Sequence, residues 1–348
     1  MKIEPKATKL ERVVRYERQM HCCRLSPDGA YLYGAGFDGR LHRWTLNQKD
    51  RHESFAAHQG WVETMVLHPD GSQLFTADSW GQVSCWPVGP GIPKRRWTIQ
   101  DAHLTWLRRV TVSPRGDRIA TCGNDHKVRV FSSGEGKLIR ELTGHEHAVL
   151  SLAFHADGKS LTSGDLFGNV RHWDLSTGKC LRSLDASRLY KKFHQYDQGG
   201  VRCMTFDTAF RCLYCGGFEG TNANQAQGTP TVIALDWASG KIQTIMTPRN
   251  AFTGPILDVV YHPAGYLIGA GSSEAGGVLW FWKPGQAKNQ HEVRYENSFR
   301  GLDLHRNGAR LAAAAFGDRG GQRGGNGRRL TNGEYVGFEG SIALYTLA

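Results

Sequence analysis

Short runs of alternating apolar and polar residues, bounded by Gly, Asp or Pro, recur along the whole chain. Val149 to Phe154 reads Val-Leu-Ser-Leu-Ala-Phe, Lys127 to Phe131 alternates as Lys-Val-Arg-Val-Phe, and Leu41 to Trp44 as Leu-His-Arg-Trp. A two-residue period puts alternate side chains on opposite faces, so each run predicts a short β-strand. Helical periodicity is hard to find anywhere, and the expected class is all-β. Short strands between turn signals suit a sandwich or a barrel, and only a longer repeat separates those from other architectures.

That longer repeat is present. A block best preserved as SGDLFGNVRHWDLSTGK, from Ser163 to Lys179, recurs with an aromatic or aliphatic anchor at Trp44, Trp86, Phe131, Trp173, Leu235, Trp282 and Tyr345. The anchors are 42, 45, 42, 62, 47 and 63 residues apart. A turn precedes each: SPDG from Ser26, HPDG from His68, SPRG from Ser113, HADG from His155, HPAG from His262 and HRNG from His305, with only Phe206 and Asp207 left of it in the fifth block. Ala57-His58, Ala102-His103 and Gly144-His145 open three blocks. A period of about 40 to 45 residues with a Gly-His start and a Trp-Asp end marks propeller blades. On these residues the chain resembles the WD-repeat family over nearly its whole length. The resemblance implies a seven-bladed β-propeller of four-stranded antiparallel blades around a central channel, in one domain spanning 1–348.

The chain ends explain how such a ring would close. The last block, Gly340 to Tyr345, stops at the third strand of its blade, whereas Lys9 to Arg15 resembles the fourth-strand segment Lys137 to Glu141. The N-terminal strand is therefore expected to pair with the C-terminal blade, removing an exposed strand edge.

The two long spacings mark insertions. One covers 219–230 and another 318–339, both between second and third strands, while a third segment, 185–200, joins a fourth strand to the next first strand. In a propeller these connections open on one face, opposite the HPDG-type turns. Repeat proteins commonly bind through the face that carries their insertions.

Composition adds a core and a charge. Hydrophobic residues make up 40% of the chain, and the formal net charge is +11. Met1 to Tyr16 is charged throughout and lacks a signal-like apolar run, and no stretch approaches membrane-spanning length, so the expectation is a cytoplasmic chain without membrane contact. Cys212 and Cys215 fall on one strand three residues apart, where side chains face opposite ways, and adjacent Cys22 and Cys23 fail as shared ligands for the same reason. Reduced structural thiols follow, and neither metal nor cofactor is implied.

Histidines and acids take blade roles under the resemblance. A blade-starting His in the family bonds a hydroxyl residue, an Asp and the anchor Trp. By position, the third block supplies His103, Thr121 and Asp125, with Phe131 in place of Trp; the fourth supplies His145, Ser163 and Trp173, with Asp165 two residues early. No block carries the full pattern in register, which predicts partial networks. An enzyme would need polar groups converging at the channel mouth. Asp38, Asp78, Asp125, Asp165, Glu219 and Asp318 are the acidic candidates, yet each sits at the turn before an anchor strand, where Asp serves turn geometry. There is no nucleophile elbow, phosphate-cradling loop or zinc-protease motif.

The expected function is a non-catalytic protein interaction scaffold, monomeric alone or part of a complex, that binds protein partners, acidic ones included, through the insertion-bearing face. Tyr190, Lys191, Lys192, Phe193 and Tyr196 interleave aromatic and basic character in one loop, as interface hot spots do. Trp80 and Phe167 lie at turns on the same side, open either to a partner or to packing between blades. The segment from Asp318 to Glu339 adds Arg319, Arg323, Arg328, Arg329 and Tyr335, spaced by Gly and Asn. That composition sustains an alternative, nucleic-acid or ribonucleoprotein association through the Arg/Gly-rich loop, against a plain flexible surface loop. A channel-mouth hydrolase is the remaining reading. Lys94-Arg95-Arg96, Arg108-Arg109 and Lys191-Lys192 are expected as scattered, solvated surface charge.

Overall fold

The computed structural model describes residues 4–48, 51–220, 228–273, 276–317, 328–331, 334–337 and 339–348. The described strands form seven four-stranded antiparallel sheets and two two-stranded hairpins. Blades 1 to 6 span 20–56, 62–99, 107–142, 149–185, 203–246 and 256–295, each with its strands hydrogen-bonded in chain order. Blade 7 takes Ser298–Leu304, Arg310–Phe316 and Gly340–Thr346 from the C-terminal end, and Lys9–Tyr16 as its fourth strand. The register of that closure runs from Lys9 opposite Thr346 to Tyr16 opposite Gly340.

The apolar pattern builds one core cluster at each blade junction. Every anchor points toward the preceding blade: Trp173 packs among Val128, Val130 and Leu142 of blade 3, and Tyr345 among Ile268 and Phe281 of blade 6. Trp44 closes the ring against Ala312 and Leu344 of blade 7. Burying one such side chain contributes roughly 2 to 3 kcal/mol, so the period of the sequence is the period of the core. Cys212 lies in the junction of blades 5 and 6 and Cys215 in that of blades 4 and 5, on opposite faces of their strand; Cys22 and Cys23 divide in the same way.

The turns between first and second strands latch one blade to the next. Their closing glycines, from Gly29 to Gly308, adopt left-handed φ values of 61° to 83°. The opening histidines reach across: the Nε2–H of His68 donates to Gly116 O at 3.0 Å, His262 to Gly308 O at 2.8 Å and His305 to Pro27 O at 3.1 Å. Blade 5 lacks the glycine, and Phe210 takes the left-handed conformation instead, at φ 54°. Its ring packs 5.2 Å from both His155 and Phe206, which offsets a conformational cost of about 1 to 2 kcal/mol.

Two segments expected as loops contain paired structure. Within 185–200, a single 3-10 turn at Ser187–Leu189 leads into a hairpin of Tyr190–Phe193 and Tyr196–Gly199. Arg328–Thr331 pairs with Glu334–Gly337 inside 318–339. The third insertion is shorter than its spacing implied, because Glu219 and Thr229 extend the blade 5 ladder and pair with each other.

Candidate functional site

The first strand of each blade lines the channel, and in six of the seven its pairing with the second strand slips by one residue near its start. The slip passes over His21, Glu63, Arg108, Leu150, Leu257 and Arg300 in blades 1, 2, 3, 4, 6 and 7. Arg202 is the counterpart in blade 5, one residue before the ladder begins at Cys203. A bulge re-aims the extra side chain, so these seven residues form one ring at the channel mouth. Each lies five residues before its turn landmark, His21 before Ser26 and Arg300 before His305 alike. The antiparallel order puts this ring at the same end of the blades as the second-to-third connections.

Three ring members are arginines from alternate blades, each against an aromatic ring. Arg108 lies 4.4 Å from the Trp106 centroid, Arg202 5.8 Å from Phe218 and Arg300 4.9 Å from Phe316. The Nε–H of Arg108 donates to Asn124 Oδ1 at 2.9 Å. The guanidiniums of Arg202 and Arg300 have no hydrogen bond or ion pair among the described residues, and the Nε of Arg202 is buried without a partner. Burial, then repulsion from Arg108 and Arg300, pushes the Arg202 pKa down to about 10. Arg300 keeps water-accessible surface, yet the channel walls surround it closely enough that burial lowers its pKa too.

The one carboxylate of the ring is Glu63. Burial opposes its charge, but His21 at 3.5 Å, together with Arg300 and Arg108, holds its pKa below the usual value. Burial keeps His21 itself below its usual pKa. Aromatics continue outward: Phe37 sits 4.4 Å from Trp61, and Trp61 meets Trp106 edge-on at 5.8 Å. Trp61 is 41% exposed.

One residue deeper, Arg109 Nη2 meets Asp258 Oδ1 at 3.1 Å, joining blades 3 and 6. The other oxygen of Asp258 accepts the N–H of Leu302 at 2.9 Å. Burial disfavours the Arg109 charge, but Asp258 outweighs it and the pKa is raised. Deeper still, Arg24 lies 3.7 Å from Asp303, whose carboxylate accepts the N–H of Leu25 at 2.7 Å. Arg108 and Arg109 are therefore not scattered surface charge: the bulge sends one to the mouth and the next residue into the channel.

The inserted hairpin sits over blades 4 and 5. Tyr190 stacks on Phe167 at 4.2 Å, and Phe167 on His147 at 3.4 Å, so Phe167 packs between blade and insertion. The Tyr190 hydroxyl donates to Asp197 Oδ1 at 2.8 Å, and Arg188 donates to Glu219 at 2.7 Å, tying 185–200 to the second strand of blade 5. Tyr196 is 62% exposed, Lys192 is exposed and Lys191 half-buried. Only the backbone is described for Phe193, Arg328, Arg329 and Tyr335, while Arg319, Arg323 and Asp318 lie outside the described residues. Trp80, 65% exposed, lines a cavity of about 390 Å³ with His58, Gln82, Arg95 and Gln100.

The blade networks are fuller than the sequence pattern implied. In blade 4, His145 meets Asp165 at 2.8 Å and Ser163 at 2.7 Å, and the Trp173 indole donates to the same hydroxyl at 2.7 Å. Asp165 comes early in sequence but ends the second strand, within reach of the ring. Blade 2 brings the same residue types together: His58 meets the Thr76 hydroxyl at 2.7 Å, the Trp86 indole donates to that hydroxyl at 2.8 Å, and Asp78 lies 3.2 Å from His58 without a hydrogen bond. In blade 3, His103 joins Asp125 and Thr121, both at 2.8 Å, and Arg129 adds a bond to Asp125. Asp38, Asp78, Asp125 and Asp165 also accept backbone N–H groups of their own turns. The described residues contain no group of three His, Cys, Asp or Glu placed to hold a metal ion.

Comparison with known proteins matches the family model "WD domain, G-beta repeat" at residues 50–87, 94–132 and 136–174, in blades 1 to 4. The chain is 27% identical over 213 residues to a tRNA (guanine-N(7)-)-methyltransferase non-catalytic subunit of Xenopus laevis, covering 60% of this chain and 52% of that protein. It is 31% identical over 156 residues to telomerase protein component 1 of Rattus norvegicus, 44% of this chain and 6% of that one. A nuclear distribution protein of Arthroderma benhamiae is 26% identical over 175 residues, 44% and 38% of the respective chains. The matches span about half or less of these relatives.

Proposed function

We propose that this chain, a WD-repeat β-propeller, is a non-catalytic platform that docks protein partners on its channel-mouth face. The carrying observation is the ring itself: bulges in the channel-lining strands present charged and apolar side chains at fixed separations, rimmed by exposed aromatics. Large aromatics and Arg are the residues that dominate interface energetics. A rigid ring holds them without a large ordering cost on binding, and the inserted hairpin at Tyr190 to Gly199 extends the contact area. The +11 charge favours acidic partners through steering. The chain would act as a monomer within a larger complex, in the cytoplasm, where its thiols stay reduced. Partner capture by the intact chain, compared with variants of either face, tests this reading.

A second reading has specific support. One matched relative is a subunit of a tRNA methyltransferase and another a telomerase component, so an RNA-handling assembly is a natural setting for a basic propeller. Under this reading the Arg/Gly-rich segment contacts RNA, and replacing Arg319, Arg323, Arg328 and Arg329 by Ala abolishes salt-dependent RNA binding.

A further inference from the structure

We propose that Arg108, Arg202 and Arg300 form a binding site for a dianionic phosphoryl group, presented at the channel mouth by a partner. The inference rests on the platform reading and adds the chemistry its partner must carry.

The fold does not need these arginines. Leu150 and Leu257 hold the same bulge register in blades 4 and 6, so an aliphatic side chain satisfies the ring position. Burial lowers the pKa of Arg202 and Arg300 first, and repulsion between guanidiniums adds to it, from Arg108 and Arg300 at Arg202 and from Arg108 at Arg300. A protein that keeps such a cluster where leucine suffices is holding charge for something absent from the chain itself.

Charge selects the ligand. Three arginines and one glutamate leave the ring itself with a net charge of +2, because burial favours the neutral form of His21, while the deeper Arg109 and Arg24 are matched by Asp258 and Asp303. A phosphate monoester carries about −1.5 to −2 at neutral pH and offers three acceptor oxygens, which matches that balance. A single carboxylate leaves one guanidinium uncompensated, and a phosphodiester carries one charge per group. Geometry agrees: each guanidinium lies on an aromatic ring, and the planar fork of Arg suits bidentate phosphate contact. Phe37, Trp61 and Trp106 then offer apolar surface to residues flanking the phosphate.

Titration of the full chain, followed by tryptophan fluorescence and calorimetry, tests the site. The probes are a degenerate phosphoserine peptide pool, the same pool unphosphorylated, inorganic phosphate and a single-stranded RNA oligonucleotide. The phosphorylated pool should bind at least about tenfold tighter than the unphosphorylated one. Arg202→Leu with Arg300→Leu, which copies the residue found in blades 4 and 6, should remove that preference while circular dichroism and the melting curve stay native. Arg115→Ala with Arg306→Ala, on the turns of the opposite face, should leave it intact. Phosphopeptide binding well above that of inorganic phosphate supports presentation by a partner, and affinity no higher than that of inorganic phosphate overturns it in favour of a free phosphate compound. Equal binding of the two peptide pools, preference retained in the Leu variants, or RNA outcompeting the phosphopeptides overturns it. If the Leu variants capture the same partners while Trp61→Ala with Tyr196→Ala loses them, the phosphoryl site fails and the platform stands.

Discussion

Arg109 and Asp258 join blades 3 and 6 through the channel at 3.1 Å, and Asp258 also fixes the first strand of blade 7 through Leu302. One carboxylate thereby links three blades. Asp258→Ala strands a largely buried guanidinium and frees a buried N–H, so stability should fall by about 3 kcal/mol. Arg109→Leu combined with Asp258→Asn should recover most of the loss, since no lone charge remains and Asn still accepts from Leu302. Denaturant midpoints of Arg109→Leu, Asp258→Asn and their double variant, beside Asp258→Ala, decide this; simple additivity of the first two would show that the pair does not interact.

Closure depends on a strand from the other end of the chain. Deleting residues 1–18 removes the ladder opposite Gly340–Thr346 and the apolar contacts of Val14 and Tyr16. The thermal midpoint should drop by about 10 °C, with concentration-dependent aggregation at the bared edge. An unchanged melting curve would mean that the ring closes by other contacts.

The hydroxyls of the blade networks differ in how many partners they serve. Ser163 bonds both His145 and Trp173, whereas Thr121 bonds His103 and has only the ring of Phe131 where an indole would stand. Ser163→Ala should therefore cost about 2 to 4 kcal/mol and Thr121→Val about 1 to 2. Equal losses in urea melts would show that the indole bond contributes nothing.

Acid sensitivity should have an identifiable component near the blade 4–5 junction. His172 lies edge-on to Trp237 at 4.6 Å, its ring nitrogens have no hydrogen-bond partner, and burial followed by Arg182 pushes its pKa down to about 4. The unfolded chain protonates this group near 6.5 while the folded one does not, so its contribution to stability is present above 6.5 and lost as pH falls toward 4. His172→Phe should flatten the stability profile between pH 6.5 and 4 by at most about 1.4 kcal/mol per pH unit. Parallel profiles for the two proteins would assign the acid sensitivity elsewhere.

The repeat is legible because the same side-chain period that marks a strand also builds each junction core, so anchors from Trp44 to Tyr345 fall at matching positions of their blocks. The closing strand was legible for the same reason. The mouth ring was not, because its members share a position and no residue type: His, Glu, Arg and Leu alternate, and only counting five residues back from each turn reveals them. A bulge leaves no hydropathy signal, so Arg108-Arg109 reads as one basic pair although its two side chains serve different sites. Asp165 looked displaced because sequence offset measures chain distance, while the His145 ring needs only proximity in space.

Partner capture by the full chain tests the central claim most directly. Quantitative affinity capture should be run with the intact protein, with Trp61→Ala, Trp80→Ala and Tyr196→Ala combined on the mouth face, and with Arg115→Ala and Arg306→Ala combined on the opposite turns. Docking at the mouth predicts that the first variant loses the specific partners and the second retains them, with both variants as stable as the parent. Equal retention by both variants, or loss only from the opposite-face variant, would contradict it.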